Sequence, residues 1–185
     1  LLQEDAVVPV IVCGVDKDRC LFVAHDGTWT CPFVPAVLKR YPFVFTQSED
    51  KALMTLCIDE AFSGIDRKGK KGERLFDAEG KRTAFLDRVL SFVSVYQREH
   101  QATLAFAKRL HELGLLEPAE ARLTPPEGAT TRAQTWTGFH RVSREKLAAL
   151  EDREALDLFR SGGMELVHLH LLSMNAFAGL PSKAG

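Results

Sequence analysis

The chain has 185 residues, a net charge of −1 at neutral pH and a sequence pI near 6.7. This length is enough to bury one sizeable core, and the near-zero charge gives no general attraction to nucleic acid or to an anionic membrane surface. The longest apolar runs are too short to cross a bilayer. We therefore expect a folded protein with no nucleic-acid partner and no transmembrane segment, and the sequence leaves its oligomeric state open.

The chain begins at Leu1 rather than at a methionine, and no basic segment precedes its first apolar run. That run is therefore not a signal peptide, and we expect a native N-terminal segment to be missing. The cysteines, Cys13, Cys20, Cys31 and Cys57, form no CxxC pair and have no zinc-ligand spacing with histidine. Free thiols in a reducing compartment are the favoured interpretation, and a Cys13–Cys20 disulfide is the alternative. We expect a cytoplasmic protein without metal or cofactor, and association with the cell envelope stays open.

The first half of the chain predicts strands separated by turns. The predicted strands are Ala6–Gly14, Cys20–Ala24, Phe43–Gln47 and Ala52–Ile58. The last of these is continuously apolar, so we expect it to lie at the centre of the sheet. Turns are expected at 15–19 and at 25–28, where Asp-Gly suits a tight hairpin, and one helical turn is expected near Ala36–Arg40.

A long helix is predicted from Thr83 to Gly114. Apolar residues, Phe92 and Phe106 among them, recur there every three or four positions, and we expect both of these rings to lie in the core. Thr83 suits an N-cap, and Gly114 suits the C′ position. The apolar stripe turns polar near Glu99 and Thr103, which predicts one long bent helix or two helices broken near Arg98–Gln101. Either the helix leaves the core there, or Glu99 lines a pocket and is paired from elsewhere, because a neighbouring arginine is not expected to satisfy it.

After this helix, residues 115–123 are expected to be irregular, and 124–135 to form a surface loop rich in Pro, Gly and Thr. A last strand is predicted at Gln134–Val142, and helices are predicted at 143–151, 152–160 and 164–178. The sequence therefore predicts a single α+β domain over 1–185. In it, a mainly antiparallel sheet from the N-terminal half packs against the long central helix and the C-terminal helices.

No catalytic motif is evident, and we assign no catalytic residue. Ser63–Arg74 is basic and glycine-rich, but it lacks the GK[ST] ending of a P-loop and fits a solvated loop. Glu165 and His168 share one face of a predicted helix, but His170 points away from that face and no third ligand is evident. These residues therefore predict no metal site.

Aromatic and basic residues cluster from Trp29 to Phe43, among prolines that restrict the backbone. Trp29, Tyr41 and Phe43 offer large apolar faces, and Arg40 lies among them, a combination common at protein interfaces. We predict a binding surface for a protein or peptide partner. The alternative is that these rings fill the open end of the sheet.

Asp59 and Glu60 close the strand predicted at 52–58 and complete the candidate site. They offer paired carboxylates for general acid–base chemistry, assisted by a metal if distant side chains supply ligands. Carboxylates at strand ends more often accept backbone N–H bonds in turns. An enclosed pocket with convergent polar groups would favour an enzyme, whereas an open groove lined by Trp29, Tyr41 and Phe43 would favour partner binding.

Several short segments, taken together in order, resemble the SapC family of bacterial proteins, named after a surface-array protein. These segments are DGTW at 26–29, FVPA at 33–36, RYPF at 40–43, IDE at 58–60, LFD at 75–77, Gly138-Phe139 and HLLSM at 170–174. The resemblance covers about 7–180. It implies an accessory, non-catalytic role connected with the surface layer or with outer-membrane uptake, and it brings no catalytic residues. It does not extend to the membrane permease of the same name, because this chain has no apolar span.

Overall fold

The computed structural model of the chain describes residues 2–3, 6–14, 19–47, 54–124 and 133–180. The turn predicted at 15–18, the start of the strand predicted at 52–58 and most of the loop predicted at 124–135 lie outside these residues. The helices are α1 (Ala36–Lys39), α2 (Ala84–Glu112), α3 (Arg144–Ala148), α4 (Asp152–Arg160), α5 (Gly163–Ser173) and a 3-10 helix at Met174–Gly179. The strands are β1 (Leu2–Gln3), β2 (Ala6–Val7), β3 (Phe43–Gln47), β4 (Met54–Ile58), β5 (Leu116–Leu123) and β6 (Gln134–Val142). The α+β class and the long central helix are confirmed.

The strands pair as three separate antiparallel hairpins, β1–β2, β3–β4 and β5–β6. Among the described residues β4 pairs with β3 alone, so its predicted central place in a sheet is wrong. The predicted strand at 6–14 is reduced to β2, and the one at 20–24 to an isolated bridge between Val23 and Trp29. The longest pair lies in the second half of the chain, because 116–123 is a strand and not the irregular segment that we predicted.

The chain divides into two compact units. The larger unit combines Leu1–Cys31 with Thr103–Gly185, and the smaller unit is Pro32–Ala102. Helix α2 contributes its first part to the smaller unit and its last part to the larger one. That the whole chain acts as a single domain remains a prediction.

A compact apolar core holds the larger unit together. Its buried members are Leu110, Leu115, Val142, Leu158, Val167 and Leu171. They come from the end of α2, from β6 and from α4 and α5, so this core fixes the two C-terminal helices against the β5–β6 hairpin. Phe106 and Met164 pack against it from the side. The smaller unit is built differently, from the β3–β4 hairpin and the first part of α2, where the Phe43 and Phe85 rings lie 6.5 Å apart.

Helix α2 is continuous from 84 to 112, so the predicted break near 98–101 is wrong and the single long helix is confirmed. The Thr83 hydroxyl accepts a hydrogen bond from the Leu86 N–H at 3.4 Å, as an N-cap does. Gly114 has a φ of +66°, and the Leu115 N–H donates to the Leu110 carbonyl at 3.0 Å, which closes the helix in a Schellman arrangement.

The polar break in the helix faces solvent. Glu99 is exposed and pairs with Arg98 at 2.9 Å, although we expected its neighbour not to satisfy it. Both side chains lie on an exposed turn of the helix, so the ion pair forms without burying either charge. The interpretation that α2 leaves the core here is therefore confirmed for Glu99. In the part of the chain that the structure describes, no helix combines the length and apolar character needed to span a bilayer.

Candidate functional site

The larger unit contains a cavity of about 920 Å³. Its walls come from the segment 7–12, the last turns of α2, strand β6, helix α5 and the 3-10 helix. The apolar side chains that line it include Val8, Ile11, Phe22, Phe106, Leu110, Leu116, Trp136, Phe139, Val142, Met174, Phe177 and Leu180. The volume lies near the upper end of the range of about 300–1,000 Å³ that is usual for sites of small organic ligands.

Three aromatic rings form one wall of the cavity. The Phe139 and Phe177 rings stack with centroids 5.6 Å apart and planes 12° from parallel. Trp136 meets Phe177 edge-on at 6.3 Å, and its indole N–H donates to the Gln134 side-chain carbonyl at 3.3 Å. The contacts hold β6 against the 3-10 helix, so the wall is fixed by packing between two elements and not by one flexible side chain.

His170 on α5 is a neutral hydrogen-bond acceptor in the cavity wall. The Val142 N–H donates to its Nε2 at 3.2 Å, which requires that the ring proton sits on Nδ1. Burial lowers the pKa of His170, because the charged imidazolium would be poorly solvated there. The neighbouring Ser173 hydroxyl donates to the His170 carbonyl at 2.7 Å. Neither the Nε2 lone pair nor the serine proton is thus left for acid–base chemistry.

His140 on β6 is the one lining side chain with an unsatisfied buried atom among the described residues. Its Nδ1 is shielded from solvent and has no hydrogen-bond partner in the described part of the chain. A buried polar atom without a partner is unusual and costly in a folded protein. The remaining polar lining groups, on Thr103, Thr135 and Thr137, are hydroxyls. No Asp, Glu, Lys or Arg is found among the described residues that line the cavity.

The residues that the sequence singled out lie elsewhere and fall in both units. Trp29 belongs to the larger unit, where its ring lies 5.8 Å from Phe22 and its backbone bridges to Val23. Arg40, Tyr41 and Phe43 belong to the smaller unit.

Within the smaller unit these three side chains have different surroundings. The Arg40 guanidinium lies 5.1 Å above the Tyr96 ring, and its Nε is buried without a partner among the described residues. Tyr41 is 52% exposed and meets the Phe62 ring edge-on at 5.3 Å. Phe43 is half-buried against Phe85, as the alternative of core packing predicts for that one ring.

Asp59 and Glu60, the two predicted carboxylate residues, lie in a turn at the end of β4. Asp59 accepts a hydrogen bond from the Ala61 N–H at 2.9 Å, and its own N–H donates to the Pro42 carbonyl at 2.9 Å. Partial desolvation, together with a hydrogen bond to Asp59, raises the pKa of the Tyr41 phenol. Glu60 is exposed and pairs with Arg67 at 3.4 Å. Across the described ranges, no three histidine, cysteine or acidic side chains lie close enough to share a metal ion.

Residues 2–180 match the model of the SapC family. The chain belongs to the SapC family. No curated protein and no solved structure matches it significantly. The match covers both compact units, so the cavity and the surface around Tyr41 both lie within the SapC region.

Some of the short segments that resemble the SapC family are turns and element ends. In the segment at 26–29, the Thr28 N–H donates to the Asp26 carboxylate at 2.9 Å, and Gly27 has a φ of +83°. In the segment at 40–43, the Tyr41–Pro42 peptide bond is cis. These segments set the path of the backbone. Other segments contribute to the cavity, because Phe139, His170, Ser173 and Met174 are among its lining residues.

The sequence did contain a signal for the cavity that we did not use. Trp136 and Phe139 are correctly predicted to lie in a strand, but the ring that both contact, Phe177 in the 3-10 helix, is distant along the chain. The segment 7–12 is predicted to be a strand because it is apolar. In the structure it lines the cavity, and Val10 and Ile11 within it are 53% and 60% exposed. An apolar run with no regular alternation fits either role, so composition alone does not separate them.

Proposed function

We propose that this SapC-family chain is a non-catalytic binding protein that holds a small apolar molecule in the cavity of its larger unit. The observation that carries the proposal is the cavity itself, which is large enough for an organic ligand and is lined mostly by apolar and aromatic side chains. Burying a ligand against such walls is favourable in proportion to the apolar area removed from water.

The arrangement of polar groups favours binding over catalysis. The cavity is partly open, so it is not the enclosed pocket that we expected of an enzyme, and its His170 and Ser173 are already committed to backbone groups. The carboxylates of the alternative enzyme, Asp59 and Glu60, belong to the smaller unit and are occupied by a turn and an exposed ion pair. A general base must be within reach of the proton it removes, and neither group lines the cavity.

The proposal is tested with N-phenyl-1-naphthylamine, an uncharged probe whose fluorescence rises in apolar surroundings. We expect a saturable rise when it is titrated into the purified chain. Thr137→Trp adds bulk at an exposed strand position that lines the cavity, so it should abolish most of the rise. Thr55→Trp is the matched control, because Thr55 is an exposed strand residue of the smaller unit. No saturable signal, or an equal signal in Thr137→Trp and the wild type, would overturn the proposal.

We also propose that the smaller unit binds a partner protein through the surface around α1. Phe33 is 67% exposed and Tyr41 52% exposed, so two aromatic faces are accessible there. The Lys39 ammonium lies 5.9 Å from the Phe33 ring. Aromatic faces beside a cation suit a peptide segment that carries both apolar side chains and a carboxylate. Tyr41, a member of the predicted site, lies on this surface, and it supports the accessory role, linked to the surface layer or to outer-membrane uptake, that the resemblance to the SapC family implies.

A further inference from the structure

We propose that the protein partner of the smaller unit carries an acidic segment, which binds the exposed basic loop at residues 66–74. The inference rests on the proposed function, since it names the chemistry of the partner that the surface around α1 binds.

The basic loop carries positive charge that the described part of the chain does not balance. Five of its nine residues are lysine or arginine, and all five are exposed. Arg67 pairs with Glu60 at 3.4 Å. The other four, Lys68, Lys70, Lys71 and Arg74, form no ion pair with any residue that the structure describes.

The carboxylates that lie near the loop in the sequence are engaged elsewhere. Glu73 pairs with Arg88 at 3.1 Å. Asp59 and Asp77 each accept backbone N–H bonds within their own turns. The surface over the loop is therefore locally positive, although the whole chain carries a net charge of −1.

Asp66 holds the backbone of the loop in place. Its carboxylate accepts hydrogen bonds from the N–H groups of Lys68, Lys70 and Lys71, at 2.8, 2.7 and 2.7 Å. These backbone bonds lower the pKa of Asp66, so the carboxylate stays ionised and keeps its acceptors at neutral pH. A loop that is ordered before the partner arrives loses less conformational entropy on binding.

The loop suits carboxylates better than a single phosphate group. The backbone N–H groups that would cradle a phosphate already donate to Asp66. The ammonium groups of Lys68, Lys70 and Lys71 act as separate point charges and lack the planar fork with which arginine clamps a phosphate. Separate charges match carboxylates that are spread along a protein segment.

The loop begins beside the aromatic surface around α1. Phe62, just before the loop, meets the Tyr41 ring edge-on at 5.3 Å, and Tyr41 is 52% exposed. A protein segment presents apolar side chains and carboxylates within a few residues of one another, so one segment can contact both Tyr41 and the loop. A nucleic acid or an anionic membrane fits less well, because a net charge of −1 gives the chain no general attraction to either.

The test is fluorescence anisotropy with two dye-labelled peptides that contain the same leucines. One peptide is rich in glutamate, and the other has glutamine at every glutamate position. We expect the purified chain to bind the glutamate peptide saturably and at least about tenfold more tightly, because several exposed ion pairs form at once. Added salt should weaken this binding, since it screens exposed charges. No saturable binding, or equal binding of the two peptides, would overturn the inference.

A triple variant, Lys68→Gln with Lys70→Gln and Lys71→Gln, removes the charges but keeps the backbone N–H groups that Asp66 binds. We expect it to bind the glutamate peptide about tenfold more weakly than the wild type does. Thermal melting shows that the variant is folded. Unchanged affinity would overturn the inference.

The matched control removes the same charge from exposed positions of the larger unit, by Lys108→Gln, Arg153→Gln and Arg160→Gln. We expect this control to bind the glutamate peptide within about twofold of the wild type, because distant exposed charges are screened. An equal loss in both triple variants would show that net charge alone decides the affinity, and the inference would fail.

Tyr41→Ala separates the inference from the proposed function. If this variant binds the glutamate peptide as the wild type does while the lysine variant does not, the basic loop stands and the surface around α1 fails. If Tyr41→Ala weakens binding and the lysine variant does not, the inference fails and the surface stands. Tighter binding of single-stranded DNA or of phosphatidylglycerol vesicles than of the glutamate peptide, lost in the lysine variant, would assign the loop to another class of partner and overturn the inference.

Discussion

His170 is a half-buried histidine whose ring accepts a hydrogen bond from the Val142 N–H, and this leads to a prediction about pH. Its pKa is lower in the folded chain than in the unfolded chain, so the unfolded state binds the proton more readily. The stabilising contribution of His170 is therefore present above the ordinary histidine pKa, declines as the pH falls below that value, and is lost once the pH passes below the folded-state pKa.

We expect the free energy of unfolding of the wild type, measured by urea denaturation, to fall more than that of His170→Gln between about pH 7.5 and about pH 5.5. The glutamine keeps a hydrogen-bond acceptor for the Val142 N–H but does not titrate. Other titrating groups are common to both proteins and cancel in the comparison. Parallel losses in wild type and variant would show that protonation of His170 is not coupled to folding.

The cysteines give a second prediction at this scale. All four are free and half-buried, and Cys13 has its pKa raised, first by burial and then by the neighbouring Cys20 thiol. Because the thiolate is the reactive form, a raised pKa slows alkylation. Thiol titration of the denatured, unreduced chain should find four thiols, and mass mapping after brief native alkylation should find Cys13 poorly labelled. A titre of two would instead indicate the Cys13–Cys20 disulfide.

At the scale of elements, helix α2 shows where the apolar stripe is misleading. The stripe places Phe92 and Phe106 in the core alike, yet Phe92 is 38% exposed, whereas Phe106 packs against the core of the larger unit. The prediction that both are core residues is wrong for Phe92. In this part of the 29-residue helix the buried residues are Leu86 and Val93, which are 5% and 2% exposed, so the buried face is centred one position along from the stripe that contains Phe92.

Replacing each of these two phenylalanines with alanine should therefore lower the free energy of unfolding by a different amount. Phe106→Ala should lower the free energy of unfolding by about 3 kcal/mol, because it removes a ring packed against the core. Phe92→Ala should lower it by about 1 kcal/mol, since much of that ring is already in water. Denaturant melts of both variants measure the difference. Equal losses would mean that burial in the structure does not describe the core in solution.

Local chemistry predicted some elements closely. The bounds of β3, β6 and α4 agree with the sequence, and α2 agrees to within a residue or two, because turn residues, caps and apolar periodicity all act within a few positions of one another. Strand β5 was missed because Pro118 and two alanines conceal its apolar alternation, and its register shifts between Ala119 and Ala121. Its identity as a strand depends on β6, which no local signal in 116–123 reveals.

The candidate site is less predictable from the sequence than the helices and strands, because it too depends on contacts between residues that are distant along the chain. His140 and His170 are unremarkable in the sequence, and their roles arise from the Val142 N–H and from burial in the cavity. The aromatic cluster at 29–43 is conspicuous in the sequence, but it does not belong to one unit, since Trp29 lies in the larger unit and Tyr41 in the smaller one. The residue types in the sequence indicated candidate binding surfaces, whereas the cavity is evident only from the tertiary fold.

At the scale of the whole molecule, the two proposals belong to different units. The cavity lies in the larger unit and the surface around α1 in the smaller one. A variant of the smaller unit that affects partner binding should therefore leave probe binding in the cavity unchanged. Arg40→Ala is a poor test of the surface, because Arg40 stacks over Tyr96 and its loss should mainly lower stability.

Tyr41→Ala is the better test of the partner surface. The ring is 52% exposed, and its contacts are an edge to Phe62 and a hydrogen bond to Asp59, so we expect the melting temperature to fall by only a few degrees, about what 1 kcal/mol produces. We expect binding to a partner recovered with the wild type to weaken by about tenfold or more, as the loss of an aromatic anchor does. Phe76→Ala is the matched control, since Phe76 is 53% exposed in the same unit. If both variants bind the partner as the wild type does, or if both lose it equally, Tyr41 is not the contact and the surface lies elsewhere.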